Sequence, residues 1–212
     1  MWPIWAVYNR ECTGVCVVSC AVHQTTHRGL IVKLVVLDRD GVINEEQEHP
    51  IKTPEDWVAI DGSVEAIASL CQADYRVVVV TNQSAISHGM LTVDEVNVVH
   101  QHMQQTVVAQ GGRIDAVMFC PHKPGDDCNC RKPKPGMLHS LMERLDIDLN
   151  GVPLVGDSLR DVQLAMVVGA TPVLVKTGHG TLTIEENKHL EGVDMYENLA
   201  EFVEQLLATE TE

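Results

Sequence analysis

Three cysteines and a histidine lie close together in the middle of the chain, in the stretch CPHKPGDDCNCRK at residues 120–132. These four potential ligands are Cys120, His122, Cys128 and Cys130. They form two close pairs separated by a short loop rich in turn-forming residues. Four nitrogen and sulfur ligands of this kind suit a tetrahedral structural Zn²⁺ with no open position for catalysis. A disulfide and reduced, unliganded thiols are the alternatives.

A second group of potentially reactive residues is acidic. Asp38 and Asp40 follow the apolar run KLVVL and are two residues apart, so both can face one crevice where the chain is extended. Asp157, which follows another apolar run, would be a third carboxylate. Carboxylates placed together repel one another unless a cation or a shared proton lies between them, and Mg²⁺ is suited to few carboxylates, water and a phosphate. The alternative is that Asp38 and Asp40 cap a turn.

Short β-branched runs and helical segments alternate from Leu34 onward, and such apolar runs are typical of strands buried on both faces of a parallel sheet. We predict five strands, at KLVVLD (33–38), YRVVVVTN (75–82), IDAVMFC (114–120), VPLVGD (152–157) and TPVLVK (171–176). We predict helices over residues 63–70, 92–109, 135–144, 158–169 and 197–207. A capping-box pattern, T-x-x-E at Thr92 and Glu95, opens the second helix.

Strands that alternate with helices predict an α/β fold: a doubly wound, mostly parallel Rossmann-like sheet with helices on both faces and right-handed crossovers. In such a sheet, functional sites form outside the carboxyl ends of the strands. The chemically suggestive residues all lie at strand ends: Asp38 and Asp40 after the first, Thr81 and Asn82 at the second, Cys120 at the third and Asp157 after the fourth. We therefore expect them to meet at one edge of the sheet.

The composition narrows the classes of function. The formal net charge of −15 argues against a nucleic-acid or anionic-membrane partner, because phosphate backbones are bound by surfaces rich in Lys and Arg. A small anionic substrate stays compatible if basic residues are concentrated locally. No apolar run approaches the length of a membrane-spanning helix. The odd number of cysteines, 7, fits a reducing cytoplasm better than a secreted disulfide scaffold.

Residues 1–31 look foreign to this pattern, because they show no periodicity and contain three of the cysteines, Cys12, Cys16 and Cys20. We expect a single domain over residues 32–212 and an N-terminal extension over 1–31 that is disordered or not natively translated. A poor signal peptide is an alternative, and so is a metal or redox site, since this spacing would stack the thiols on one helical face. Initiation at Val32, where the regular pattern begins, would remove the extension.

Four motifs, in order and at matching positions of the predicted sheet, carry a resemblance to a known family. LDRDGVIN, VVTNQS, CRKPKPG and VGDSLRD resemble the four motifs of the haloacid dehalogenase (HAD) superfamily of phosphatases. The resemblance covers residues 33–178 and implies a phosphatase that uses Mg²⁺. It implies that Asp38 attacks phosphorus, giving an aspartyl-phosphate intermediate, and that Asp40 is the proton donor.

The same resemblance assigns roles to further residues. Thr81 would hydrogen-bond the phosphoryl oxygens, and Lys132 would neutralise them, since an attacking carboxylate otherwise meets charge repulsion. The expected Mg²⁺ ligands are the side chains of Asp38 and Asp157 and the backbone carbonyl of Asp40, with Asp161 as an indirect support. The expected substrate-binding residues are Asn82, Gln83 and Ser84 in the phosphate cradle and Arg131 beside it.

A zinc loop in this place narrows the resemblance to the branch that contains the D,D-heptose 1,7-bisphosphate phosphatases and the histidinol-phosphate phosphatases. The motifs TNQSAISHG and RKPKPGM look more like those of the heptose enzymes. Both groups lack a large cap, and the segments between the motifs leave no room for one. Because the loop has no core of its own, zinc binding would order it and hold Arg131 and Lys132 over the phosphate site.

The expected function is therefore Mg²⁺-dependent hydrolysis of the C7 phosphate of D-glycero-D-manno-heptose 1,7-bisphosphate, which by the same resemblance serves ADP-heptose and lipopolysaccharide precursor synthesis. The alternative within the branch is histidinol-phosphate hydrolysis in histidine biosynthesis. A zinc-stabilised binding protein with a vestigial phosphatase site is an alternative of another class, against which the intact pair Asp38 and Asp40 argues. The expected partner is a small phosphorylated sugar, with no nucleic acid and no membrane, and the expected protein is a cytoplasmic monomer.

Overall fold

The structure is a computed structural model that describes residues 16–18, 33–188, 190 and 192–210. Its strands are β1 (Cys16–Val18), β2 (Leu34–Leu37), β3 (Arg76–Asn82), β4 (Ala116–Cys120), β5 (Pro153–Gly156), β6 (Thr171–Val175) and β7 (Asp194–Tyr196). Its helices are α1 (Ser63–Gln72), α2 (Val93–Ala109), α3 (Gly136–Leu145), α4 (Leu159–Val168), α5 (Gly180–Glu186) and α6 (Leu199–Glu210), and a 3₁₀ turn covers Pro54–Asp56.

One sheet contains these strands in the order β1-β4-β3-β2-β5-β6-β7. β1 pairs antiparallel with β4, and the other neighbouring strands pair in parallel. The register places Leu37 of the central strand β2 opposite Val79 of β3 and Val155 of β5. The chain adds strands first on one side of β2 and then on the other, so the crevice expected at such a reversal lies beyond the carboxyl ends of β2, β3 and β5.

Helices cover both faces of the sheet. On one face α1, α2 and α6 pack through buried side chains such as Ile67, Met103 and Phe202. On the other face α3 and α4 pack through buried side chains such as Leu138 and Leu164. Successive residues of β2 contribute to the two faces in turn, which explains why its run LVVL is apolar at every position.

The predicted helix signals have the expected geometry. The backbone N–H of Glu95 donates to Oγ1 of Thr92 at 3.2 Å, and the backbone N–H of Thr92 donates to Oε2 of Glu95 at 2.6 Å. This capping box opens α2 as predicted. Helix α4 ends at Gly169, whose φ of +75° lies in the left-handed region that glycine adopts without strain.

The predicted fold class is confirmed, because the five predicted strands form a parallel sheet and the five predicted helices cover it, with ends that differ by a few residues. Pro135 is the residue before α3 and does not lie in its first turn. The sequence pattern does not predict β1, β7, α5 or the 3₁₀ turn. These elements are too short for a periodicity to develop, and β7 depends on pairing with β6.

The predicted absence of a large cap is confirmed for residues 33–188, which contain no inserted domain. Within residues 1–31 the structure describes only the backbone of Cys16–Val18, which forms β1 at the edge of the sheet. Cys12, Cys20 and the remaining residues of that segment lie outside the described residues, and the division at residue 32 stays a prediction. Among the described helices, none combines the length and the apolar character needed to cross a bilayer.

Candidate active site and metal centres

Three aspartates converge at the carboxyl edge of the sheet. Asp38 follows β2, Asp157 follows β5, and Asp161 lies in the first turn of α4. One carboxylate oxygen from each lies within 4.8 Å of the other two, and all three residues are buried. The convergence of Asp38 and Asp157 was expected from the sequence, whereas Asp161, expected only as an indirect support, belongs to the same group.

The side chain of Lys132 enters this group of carboxylates. Its Nζ lies 2.7 Å from Oδ2 of Asp38 and 2.7 Å from Oδ1 of Asp161, and it donates to the carbonyl oxygen of Val80 at 3.0 Å. Burial alone would lower the pKa of Lys132, but the charges of Asp161 and Asp38 raise it above its usual value. Lys132 is therefore a buried, protonated cation next to the predicted nucleophile.

One lysine does not balance three buried carboxylates. Burial raises the pKa of Asp38 well above its usual value despite Lys132, and the charges of Asp161 and Asp157 add to the rise. Burial also raises the pKa of Asp157 to about 6, although the backbone N–H of His179 donates to its Oδ2 at 2.8 Å. The surplus of negative charge on hard oxygen ligands fits a divalent cation such as Mg²⁺. Asp38, Asp157 and the backbone carbonyl of Asp40 are the groups that would hold it.

Two glycines make room for the carboxylate of Asp157. Gly41 and Gly178 have φ values of +77° and +56°. A Cβ added to Gly41 would lie 2.1 Å from Oδ2 of Asp157, and one added to Gly178 would lie 2.3 Å from the same oxygen. A larger residue at either position would therefore displace Asp157. Gly178 was not among the residues predicted from the sequence, although the segment KTGHG at the end of a strand was a signal for it.

The carboxylate of Asp40 has a separate set of partners. Nε and Nη2 of Arg39 donate to Oδ1 at 2.9 and 2.8 Å, and Nη2 also donates to Oδ2 at 2.8 Å. Asn44 Nδ2 donates to Oδ1, and Gln83 Nε2 donates to Oδ2, each at 3.0 Å. Burial alone would raise the pKa of Asp40, but the charge of Arg39 and these hydrogen bonds lower it. In this arrangement Asp40 is ionised.

The end of β3 supplies Thr81, Asn82, Gln83 and Ser84, which the sequence analysis expected around the phosphate. Nε2 of Gln83 donates to Oγ1 of Thr81 at 3.0 Å. The amide of Asn82 clamps the backbone of Lys132: its Oδ1 accepts from the Lys132 N–H at 3.0 Å, and its Nδ2 donates to the Lys132 carbonyl at 3.3 Å. This strand end thus positions Lys132. Ser84 lines a cleft together with Asn82 and Gln83.

The predicted zinc ligands lie together after β4. One ligand atom from each of the four residues lies within 4.8 Å of the others; the residues are Cys120, His122, Cys128 and Cys130. Nδ1 of His122 lies 3.3 Å from Sγ of Cys130 and 3.6 Å from Sγ of Cys120. Ligands of a tetrahedral zinc ion lie roughly 3.3–3.8 Å apart, so the four residues fit a structural Zn²⁺.

No disulfide joins the cysteines of this cluster, so the described residues do not contain the alternative disulfide. A hydrogen bond from the thiol of Cys130 lowers the pKa of Cys120 to about 6, although burial opposes the shift. A thiolate is the form that binds a metal. Nη1 of Arg131 donates to the carbonyl of His122 at 3.0 Å, and Nζ of Lys134 donates to the carbonyl of Cys128 at 2.7 Å. The basic segment after the cluster is therefore fastened to it.

Two clefts flank the buried group and differ in charge. The larger, of about 530 Å³, is lined by four basic residues, namely Arg131, Lys132, Lys134 and Arg160, and by the tip of the zinc loop, which includes Asp126 and Asp127. The smaller, of about 350 Å³, is lined by Asp40, Glu46, Glu48, His49 and Ser84 among others. Arg160 was not among the predicted site residues. Its place in the predicted helix beyond VGDS was a weak signal, because that position is exposed.

A parallel sheet with a nucleophile-like aspartate after its central strand, a lysine paired with it and acidic residues after β5 defines a HAD-like hydrolase. The HAD-hydrolase-like family model matches residues 129–202, and the polynucleotide kinase 3 phosphatase family model matches residues 33–165.

Curated relatives narrow this class. The D-glycero-beta-D-manno-heptose-1,7-bisphosphate 7-phosphatase of Bordetella bronchiseptica is 47% identical over 176 residues, which is 83% of this chain and 98% of that protein. The enzyme of the same name from Pseudomonas putida is 46% identical over 83% of this chain and 100% of that protein. A crystal structure of the D,D-heptose 1,7-bisphosphate phosphatase from B. bronchiseptica, complexed with magnesium and phosphate, aligns with a TM-score of 0.81 at 46% identity, covering 84% of this chain and 99% of that chain. The chain belongs to the family of HAD-like phosphatases that includes these enzymes.

Proposed function

We propose that the protein is a Mg²⁺-dependent phosphatase that removes the C7 phosphate of D-glycero-β-D-manno-heptose 1,7-bisphosphate. The named activity of its relatives supports the substrate. The observation that carries the proposal is the position of Lys132 Nζ, 2.7 Å from Oδ2 of Asp38 and within the group that contains Asp157. This arrangement would bring a nucleophile, a cation for the phosphoryl oxygens and a metal site together at one edge of the sheet.

In the first step an oxygen of Asp38 attacks phosphorus, and the bond between phosphorus and O7 of the sugar breaks. Lys132 and the hydroxyl of Thr81 hold the phosphoryl oxygens, so that the phosphoryl group lies in line between the attacking and leaving oxygens. A bound Mg²⁺ supplies positive charge that offsets the repulsion between the attacking carboxylate and the phosphoryl group. Asp161 acts through Lys132, which it holds at 2.7 Å.

Asp40 handles the protons in this proposal. It donates a proton to O7 as that oxygen leaves, and it then accepts a proton from the water that hydrolyses the aspartyl-phosphate on Asp38. Because Asp40 is ionised in this structure, it must gain its proton when the negative phosphate approaches, since a nearby like charge raises the pKa of a carboxylate.

The basic cleft suits the second phosphate of a bisphosphate. Burial and the charge of Arg160 lower the pKa of Arg131, although the charges of nearby thiolates and of Asp126 oppose the shift, so the two guanidinium groups lie close enough to repel. Neither forms an ion pair with a carboxylate in the described part of the chain. Two neighbouring guanidinium groups without a carboxylate partner favour an anion, and phosphate binds arginine through paired hydrogen bonds. The C1 phosphate would lie here.

Histidinol phosphate is a second candidate substrate, which the acidic cleft favours. Glu46 and Glu48 line that cleft next to Asp40 and would attract the ammonium group of histidinol phosphate. The basic cleft would repel the same group. The acidic cleft therefore favours histidinol phosphate, whereas the larger, basic cleft favours a bisphosphate.

The deciding experiment is phosphate release from a panel that contains both anomers of the heptose bisphosphate, heptose 7-phosphate and histidinol phosphate, with and without Mg²⁺. We expect release from the β-bisphosphate to be fastest and to require Mg²⁺. Faster release from histidinol phosphate would support the second candidate. No release from any member would support the binding protein with a vestigial site.

We also propose that the protein is a cytoplasmic monomer that acts in the synthesis of ADP-heptose for lipopolysaccharide and has no nucleic-acid or membrane partner. Its net charge of −15 supports the last point, even though one matching family is named for a polynucleotide phosphatase. Gel filtration with light scattering, in the presence and absence of single-stranded DNA, tests the monomer and the absence of nucleic-acid binding together.

A further inference from the structure

Arg39 lies in the sequence between Asp38 and Asp40, and the proposed mechanism assigns it no chemical step. Arg39 is 2% exposed, and its guanidinium donates hydrogen bonds to both carboxylate oxygens of Asp40. In the described part of the chain it is the only cation paired with that carboxylate. Asn44 and Gln83 add one neutral donor each. The orientation of Asp40 therefore depends mainly on where Arg39 lies.

The remaining nitrogen of Arg39 contacts a buried histidine of α2. Nη1 of Arg39 lies 3.0 Å from Nε2 of His100, which is 0% exposed. Because a guanidinium has donors only, Nε2 must accept, and the ring is neutral with its proton on Nδ1. That Nδ1 is buried and has no hydrogen-bond partner among the residues that the structure describes. Among the described residues, the one polar contact of this buried ring is with Arg39.

We propose that His100 is a positioning residue that acts through Arg39 to hold the carboxylate of Asp40 in the orientation it needs as general acid and base. The proposal rests on the proposed function, because it assigns His100 a part in the same reaction. Without an acceptor at residue 100, Nη1 of Arg39 would be a buried charged donor with no partner. Arg39 would then shift toward another acceptor, and the two-point grip on Asp40 would be lost.

A leaving-group comparison separates this role from a general effect on folding. An alkoxide such as O7 of a sugar needs a proton as it leaves, whereas p-nitrophenolate leaves readily without one. Both substrates need Asp38, Lys132 and Mg²⁺ for the first step, which kcat/KM reports. Misplacing Asp40 therefore lowers kcat/KM for the heptose bisphosphate and spares kcat/KM for p-nitrophenyl phosphate.

The test uses His100→Leu, which removes the acceptor, and His100→Gln, which offers an oxygen in its place. For His100→Leu we expect kcat/KM for the heptose bisphosphate to fall by about tenfold or more, and kcat/KM for p-nitrophenyl phosphate to stay within about twofold. His100→Gln should recover most of the loss. Val99→Ala, a truncation of a 0% exposed neighbour on the same helix, is the matched control and should leave the ratio of the two values unchanged.

Equal losses for both substrates, or no loss for either, would overturn the positioning role. If His100→Leu does not fold, Arg39→Lys serves instead: it keeps the charge but cannot hold Asp40 and His100 together, and it should change the ratio in the same direction. Failure of the proposed function has a different signature, because the unmodified protein would then not hydrolyse the heptose bisphosphate, and the positioning role would fall with it.

Discussion

The carboxylate of Asp38 is held at both oxygens before any substrate arrives. Oδ1 accepts the backbone N–H of Arg39 at 2.7 Å, and Oδ2 lies 2.7 Å from Nζ of Lys132. These contacts fix the plane of the carboxylate at the end of β2. A nucleophile held in this way needs little reorganisation, which is how a rigid scaffold lowers the barrier of a displacement.

Replacing Asp38 by Asn tests the nucleophile. The amide keeps the size of the side chain but cannot form the aspartyl-phosphate, so kcat should fall by at least about 10³-fold while the protein stays folded. Phosphate release and circular dichroism measure the two effects. Asp194→Asn, on the exposed side of β7, is the matched control and should leave both unchanged. Retained turnover in Asp38→Asn would rule out Asp38 as the nucleophile.

Replacing Arg160 by Ala tests the site for the second phosphate. Loss of one charged hydrogen-bond donor should raise KM for the heptose bisphosphate by about tenfold and leave kcat nearly unchanged. KM for heptose 7-phosphate, which lacks the C1 phosphate, should not change. Steady-state kinetics on both substrates give the answer, with Arg144→Ala as an exposed control at the end of α3. An equal rise in KM for both substrates would place the C1 phosphate elsewhere.

Among the elements, the loop after β4 connects the proposed zinc site to the candidate active site. It contains the proposed zinc ligands, and its last residues reach the candidate active site: Cys130 is one of those proposed ligands, and Lys132 is paired with Asp38 two residues later. The amide of Asn82 holds the backbone of Lys132 from the other side. We therefore expect order in this cluster to set the position of Lys132.

Replacing Cys128 by Ser tests this coupling. The variant should lose its zinc, measured by elemental analysis, and its kcat/KM should fall by about tenfold or more because the loop no longer fixes Lys132. Cys71→Ser removes a described thiol outside the cluster and should keep both zinc and activity. Full activity in a zinc-free Cys128→Ser protein would show that the metal does not position Lys132.

Helix α2 provides a pH-dependent contribution to stability through His100. Burial, with the charge of Arg39, lowers the pKa of His100 well below 6.5, and the charge of Asp40 opposes this only in part. As pH falls below about 6.5 the unfolded chain gains a proton that the folded protein does not, so the free energy of unfolding decreases by up to about 1.4 kcal/mol per pH unit.

The variant His100→Gln should lose this acid sensitivity. As pH falls from 7.5 to 5.5 with Mg²⁺ present, its free energy of unfolding, measured by urea denaturation, should decrease less than that of the unmodified protein. His139→Gln, at an exposed position of α3, controls for the loss of any one histidine and should follow the unmodified protein. If the difference in free energy of unfolding between His100→Gln and the unmodified protein were the same at every pH, His100 would not be the source of the acid sensitivity.

At the scale of the whole molecule, charge is unevenly distributed. The net charge is −15, yet one cleft is lined by four basic side chains, one of which, Lys132, is paired with the buried carboxylates of Asp38 and Asp161. The overall charge repels polyanions, while the cleft concentrates small ones. The buried carboxylates also make the folded protein without Mg²⁺ less stable than the protein with it.

Mg²⁺ should therefore raise the melting temperature, by ~5–10 °C at a concentration about 100-fold above its Kd. Calorimetry on protein treated with a chelator, with NaCl at equal ionic strength as the reference, measures the shift. Asp157→Asn should abolish most of it, because it removes one of the proposed ligands. An unchanged shift in Asp157→Asn would mean that the ion binds somewhere else.

Much of this architecture was predictable because its determinants are local. The apolar runs around Leu34–Leu37 and Arg76–Asn82 specify buried strands, and the capping box at Thr92 specifies the start of α2. Short elements such as α5 and β7 were not predictable, since each has too few residues for a periodicity to develop and β7 depends on pairing with β6.

The sequence by itself determined which groups reach one edge of the sheet, because parallel strands place their carboxyl ends together and ligand spacing is a local property. It thereby indicated two sets of metal ligands, the aspartates and the cysteines with a histidine, while the role of Lys132 was implied by the resemblance to a known family. Only the tertiary structure decided which of these side chains meet. The contact of Arg39 with His100 joins residues 61 positions apart, and the pairing of Lys132 with Asp161 depends on how α4 packs. Such contacts follow from strand register and helix packing, which no local pattern encodes.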